Sequence, residues 1–123
     1  MRRAIILLDV CCVLAFAVLG RASHGEAGSI AGLARTAWPF LAGLAVGLVL
    51  TRAWRRPAAI VPAGLGAWLG TAGIGMTLRA ISGQGTAPAF IVVALAFLGL
   101  SMLGWRAVAL GMASVRAARL QQG

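Results

Sequence analysis

Side chains able to do chemistry are scarce in this sequence, and they gather at two places. The first holds a single carboxylate, Asp9, inside an otherwise apolar run from Ala4 to Gly20. An ionised carboxylate in lipid costs about 2.5–3.5 kcal/mol at a helix centre and less near a helix end, so Asp9 must face protein and find a donor. Arg52 and Arg106 have the reach to supply one, because an arginine stem can lie along apolar surface while its head group travels. Two chemistries fit this arrangement. Asp9 is either half of a buried ion pair that fixes helix register, or a carboxylate that couples proton or cation movement to a change of partner.

The second place collects nearly all the other polar side chains outside the basic segments: Arg21, Ser23, His24, Glu26, Arg35 and Thr36, then Thr77, Arg79, Ser82, Gln84 and Thr86. Three arginines and a histidine against one acid make an anion-attracting mouth, and a guanidinium fork suits an oxyanion. Arg21, His24, Arg35, Arg79 and Gln84 are the candidate binders. Gly64, Trp68, Thr71, Gly75 and Arg79 recur at helical spacing and form one stripe that leads up to the last cation. Trp38, Trp68, Thr71 and Gly75 are the expected lining. The competing reading is a solvated loop whose arginines touch lipid phosphates.

Catalysis finds little to stand on. Cys11 and Cys12 are adjacent, so a helix points them about 100° apart, and there is no Cys-x-x-Cys pair for thiol redox chemistry. One histidine and two acids, Asp9 apart from His24 and Glu26, do not supply the ligand count of an ordinary metal site. A glycine-rich phosphate loop and a nucleophile elbow are both missing. The expectation is a protein that is not an enzyme, with no catalytic residues, no metal and no cofactor.

These residues need elements to hold them, and composition names the solvent. Of 123 residues, 61% are apolar and only 11% charged, where a soluble domain carries about 25% charged. A soluble fold of this length would still expose about a third of its chain surface, which so few charges cannot wet. The balance excludes a soluble enzyme, a disulfide-rich secreted domain and a disordered tail, and predicts an all-α integral membrane four-helix bundle. Spans are expected near 4–20, 34–51, 58–78 and 87–105, with 107–123 as a cytoplasmic tail and the whole chain, 1–123, as one domain. Pro39 and Pro88 are expected in the first turns of helices two and four, where a missing N–H costs nothing.

The net charge of +9 comes entirely from arginine set against two acids. Eight of the eleven lie at the amino end, in the link containing Arg52, Arg55 and Arg56, and from Arg106 into the tail; Arg21, Arg35 and Arg79 lie opposite. The positive-inside rule then puts both termini in the cytoplasm of a multi-pass cell-membrane protein. Asp9 within the first run and Arg21 just after it favour a retained span over a cleaved signal peptide. Gly43-x-x-x-Gly47 and Gly66-x-x-x-Gly70 expose backbone for close helix approach. Thr36 to Phe40 resembles Thr86 to Phe90, and each segment opens a helix that closes on Trp54-Arg55 or Trp105-Arg106. Two similar hairpins related by an axis along the membrane normal would account for this; so would chance in a chain rich in Ala, Gly and Leu.

Taken in order, Asp9, Gly20-Arg21, Ser23-His24, Trp38-Pro39-Phe40 with Gly43, Trp68, Gly75-Met76 to Arg79, Gln84 to Thr86 with Phe90, and Trp105-Arg106 resemble a family of small four-span membrane proteins catalogued as domain of unknown function 3054. The resemblance implies this architecture over nearly the whole chain and an unassigned role. It adds that the Asp, Arg and His positions matter together.

Two functional classes remain open. One is binding or transport of a small anionic solute or lipid head group at the outer mouth, with Asp9 as coupling group. The other is a non-catalytic packing or assembly subunit that docks on a larger membrane partner through its glycine faces. Either is expected to live among membrane lipid and to form a homo-oligomer or join such a partner; the arginines speak for topology and not for nucleic acid.

Overall fold

The computed structural model describes residues 2–23 and 29–122. They form four helices: α1 (Arg2–Ser23), α2 (Ile30–Leu50), α3 (Ile60–Ile81) and α4 (Pro88–Gln122). Each is long and apolar enough to cross a membrane, and no strand occurs among the described residues. The protein is an all-α, four-helix membrane bundle.

Helix α2 begins earlier than its apolar core, because Ser29 caps it: the Ser29 Oγ accepts the Gly32 N–H at 3.0 Å from an extended backbone. Pro39 therefore lies inside α2 and not in its first turn, a correction to the sequence expectation. A proline within a helix removes the bond to the carbonyl four residues back, here that of Arg35. Gln84 Nε2 donates to this carbonyl at 3.0 Å, so a side chain from the loop after α3 satisfies the group the ring leaves open. Pro88 does open α4, as expected.

Helix α3 is wound unevenly. Val61 is extended (φ −117°, ψ 126°), the conformation that a following proline favours, and regular winding starts at Pro62. One π-type turn, Ile60–Gly64, spans the kink itself, and a second, Gly70–Ile74, follows it. Between and around them, α3 lies directly on α2. A Cβ on Gly43 would strike the Gly70 carbonyl oxygen and sit 2.9 Å from the Gly75 nitrogen, and one on Gly47 would strike the Gly66 carbonyl oxygen. Both four-residue glycine pairs thus pack against each other within the chain, where van der Waals contact replaces the missing hydrophobic drive.

The turn after α2 is a Schellman cap. Ala53 N–H donates to the Leu48 carbonyl at 2.9 Å and Arg52 N–H to the Val49 carbonyl at 3.1 Å. Glycine ordinarily fills the left-handed position of this motif, yet here it is Arg52, at φ 51°. For a residue with a Cβ that conformation costs about 1–2 kcal/mol.

Helix α4 does not stop at Trp105 but runs on through the expected tail to Gln122. Residues 107–122 are mostly Ala, Leu, Met, Arg and Gln, all good helix formers, with one glycine and no proline. Its 35 residues extend about 52 Å, well past the roughly 30 Å of hydrocarbon.

The core is built from Val13, Phe16, Phe40, Leu44, Leu98 and Met102, all buried. Phe16 is its hub: its ring centroid lies 5.3 Å from that of Phe40 in an edge-on arrangement, 5.6 Å from Phe90 and 5.8 Å from Phe97. This aromatic layer divides a polar site at one end of the bundle from a polar site at the other.

Candidate functional site

At the link end, the loop between α2 and α3 meets α1 and α4. Asp9 faces inward from α1, and Arg106 reaches it from α4; both are fully buried. The guanidinium Nη2 lies 2.6 Å from Asp9 Oδ2 and Nη1 lies 2.8 Å from Oδ1, a two-pronged pair. Trp105 Nε1 donates to the same Oδ1 at 3.0 Å. Arg106 gives two further hydrogen bonds to main chain, Nε to the Pro57 carbonyl at 2.9 Å and Nη1 to that of Met102 at 3.1 Å. It also stacks over the Trp105 ring at 4.5 Å. Of the two arginines within reach of Asp9, Arg106 is the partner, while Arg52 stays exposed on the link. The arrangement ties α1, α4 and the α2–α3 link at one point, with every carboxylate oxygen satisfied.

At the opposite end, a cavity of about 30 Å³ is lined by Phe16, Ala17, Gly20 and Arg21 of α1, Thr36 of α2, Arg79 of α3 and Phe90 of α4. Arg21 Nη1 donates to Thr36 Oγ1 at 3.2 Å. Its head group lies against Gly32, where a Cβ would strike it. Arg79 Nε donates to the Gly85 carbonyl at 2.5 Å and Nη1 to Gln84 Oε1 at 2.9 Å, and the guanidinium stacks 4.5 Å over Phe90. Further interactions hold both arginines. Gln84 is the bracket of this end, accepting from Arg79 with its oxygen and donating to the Arg35 carbonyl with its nitrogen.

The sequence-derived candidates divide. Arg21 and Arg79 share the cavity and Gln84 braces it. Arg35 contributes its carbonyl, while its side chain is exposed and is not part of the lining. His24 and Glu26 lie outside the described residues. The expected lining sits elsewhere: Trp38 is at the lipid-facing surface, Trp68 donates from Nε1 to the Leu95 carbonyl at 3.0 Å and packs on Gly99, and Gly75 lies against Phe40. Thr71 is fully buried and its Oγ1 has no hydrogen-bond partner among the described residues. The floor of the cavity is instead Phe16 and Phe90. Phe40 and Phe90, which close the similar Thr36–Phe40 and Thr86–Phe90 segments, have ring centroids 6.2 Å apart.

The sequence matches, over residues 6–109, the family described as Protein of unknown function (DUF3054). The chain belongs to that family. The DUF3054 segment takes in the Asp9–Arg106 pair, the link and every described residue of the cavity, and leaves out only the first turn and the end of α4. No curated protein and no solved structure matches the sequence. Sequence reasoning missed two residues of this DUF3054 chain that matter: Phe16, hidden in an all-apolar run, and Pro57, which acts through its carbonyl. Phe16 had one signal, its place between Asp9 and Arg21 on the helix that carries both.

Proposed function

We propose that this membrane protein binds an anionic group, from a small oxyanion or a lipid head group, at the cavity between Arg21 and Arg79. One observation carries the proposal: two guanidinium groups from different helices line the same small cavity, with a threonine hydroxyl beside them and two aromatic rings as its floor. Guanidinium forks are suited to carboxylate and phosphate oxygens, and a low-dielectric floor strengthens the attraction. A volume of about 30 Å³ admits an oxyanion's oxygens and leaves the rest of the ligand outside, in lipid or water. By the arginine distribution, this end faces the cell exterior.

Binding is favoured over conduction through a single copy, because the buried Phe16, Phe40 and Leu98 fill the space between the cavity and the Asp9 pair. Asp9 then serves as an anchor for the bundle. The alternative, a packing subunit that docks through its glycine faces, has less support, since Gly43, Gly47, Gly66 and Gly70 are spent inside the chain.

The test is thermal unfolding of purified protein in nanodiscs. Inorganic phosphate that stabilises the protein in purely zwitterionic lipid identifies a free oxyanion as ligand. Stabilisation only on adding phosphatidylglycerol identifies a head group. In either case Arg21→Gln and Arg79→Gln should clearly reduce the shift without unfolding the protein. No shift with either probe, or an equal shift in both variants, would overturn the proposal.

A further inference from the structure

The link end carries a second, separate feature. Arg52, Arg55 and Arg56 are all exposed there, and the link that bears them is pinned deep: Arg106 holds the Pro57 carbonyl, and Ala53 is buried. The flanking helices do not stop at that depth. α1 continues from Asp9 back to Arg2, about 10 Å further, and α4 from Arg106 to Gln122, about 24 Å further. These extensions are apolar and exposed, with Leu7, Leu8, Val108, Leu110 and Met112 facing out, and bases return only toward their far ends, at Arg2 and Arg3 on α1 and at Arg116 and Arg119 on α4.

Exposed Leu7 and Leu8 on the α1 extension call for hydrocarbon around them, and α1 from Arg3 to Arg21 spans about 27 Å, the thickness of the hydrocarbon. This sets the three link arginines beside acyl chains, short of the membrane surface, while α4 runs on past that surface and carries Arg116 and Arg119 clear of it. A guanidinium at such a depth is accommodated when the bilayer thins locally and head groups and water reach it. Anionic head groups are drawn to clustered arginines in this way. The Arg52 backbone adds an independent point. Glycine would sit at its left-handed position without strain, yet an arginine occupies it, so the side chain serves something other than the turn.

We propose that the Arg52–Arg55–Arg56 link is a binding site for the head group of an anionic phospholipid, drawn down between the extensions of α1 and α4 to the depth of Arg106. This is independent of the cavity at the other end, which shares none of these residues.

The experiment is native mass spectrometry of the full chain released from nanodiscs of mixed phosphatidylcholine and phosphatidylglycerol. The protein should retain phosphatidylglycerol preferentially, and Arg55→Gln with Arg56→Gln should cut that preference about 25-fold, as each exposed cation near an anionic surface contributes about five-fold. Arg116→Gln with Arg119→Gln, further along α4, should leave it nearly intact. Arg52→Gly separates site from scaffold: it should unfold at a higher temperature in zwitterionic lipid, because the turn is relieved, and yet retain less phosphatidylglycerol. Unchanged retention in the link variants, or an equal loss in the tail variant, would overturn the proposal.

Discussion

Replacing Asp9 with asparagine is the sharpest probe of the bundle, because shape is kept and charge is lost. The carboxylate accepts from Arg106 at 2.6 and 2.8 Å and from Trp105 at 3.0 Å. Asparagine retains one acceptor oxygen, and its amide donors then face the donors of the guanidinium. Arg106 keeps the Pro57 and Met102 carbonyls but is left as a fully buried charge. Removing one partner of a buried pair costs about 3–5 kcal/mol; the retained carbonyl bonds argue for the lower end. About 3 kcal/mol corresponds to roughly a hundred-fold loss in the folding equilibrium. Reversible unfolding in mixed micelles, driven by rising SDS and followed by circular dichroism, measures it. Adding Arg106→Met should recover part of the loss, since the double variant has no buried charge to strand. A cost for Asp9→Asn below about 1 kcal/mol, or strict additivity with Arg106→Met, would refute the reasoning and reopen a water-reached or coupling role for Asp9.

Gly47→Ala should destabilise the protein by about 1–3 kcal/mol, because the new methyl group meets main chain of α3 and not a movable side chain; Gly104→Ala, with nothing within 4 Å, should be neutral or slightly stabilising in the same assay. Thr71→Val should raise stability by about 1 kcal/mol, since it removes a buried hydroxyl without a partner, and a loss instead would show that the hydroxyl is used. A reporter active only outside the cell should be silent when fused after Gly123 and active when inserted near Gly28; the opposite pattern would invert both ends of the bundle.

Fold was legible where periodicity and composition act alone. Four apolar runs separated by short polar links allow little besides four spans, and the glycine spacings marked faces for close helix approach without telling a neighbour in the chain from a separate partner. The helix ends were harder, because a cap is a local event. Ser29 moved the start of α2 and put Pro39 inside it, and no apolar pattern marks where α4 ends once its residues favour helix. At the cavity, charge identified Arg21 and Arg79, since three arginines at one end of a membrane chain are costly enough to stand out. Which of them turn inward is a matter of helix rotation and of main-chain bonds. The carbonyl freed by Pro39 recruits Gln84 to Arg35, and Gln84 in turn steers Arg79, a chain of causes invisible to residue type. Phe16 and Pro57 were missed for the same reason: one acts by shape, the other by its backbone.

The central claim is that one anion is held by Arg21 and Arg79 together, and a double-variant cycle on binding tests it most directly. The affinity of the stabilising anion would be measured for the unaltered protein, for Arg21→Gln, for Arg79→Gln and for the two combined, with Arg116→Gln as control. Losing one charge-assisted hydrogen bond costs about 1.5–3 kcal/mol, so each single variant should bind about ten-fold more weakly or worse. The combined variant should lose clearly less than the product of the two single losses, because the second guanidinium holds little once the first is gone, and Arg116→Gln should change nothing. Strictly independent losses, or losses no larger than that of the control, would contradict a shared site and leave the two arginines as separate anchors at the membrane surface.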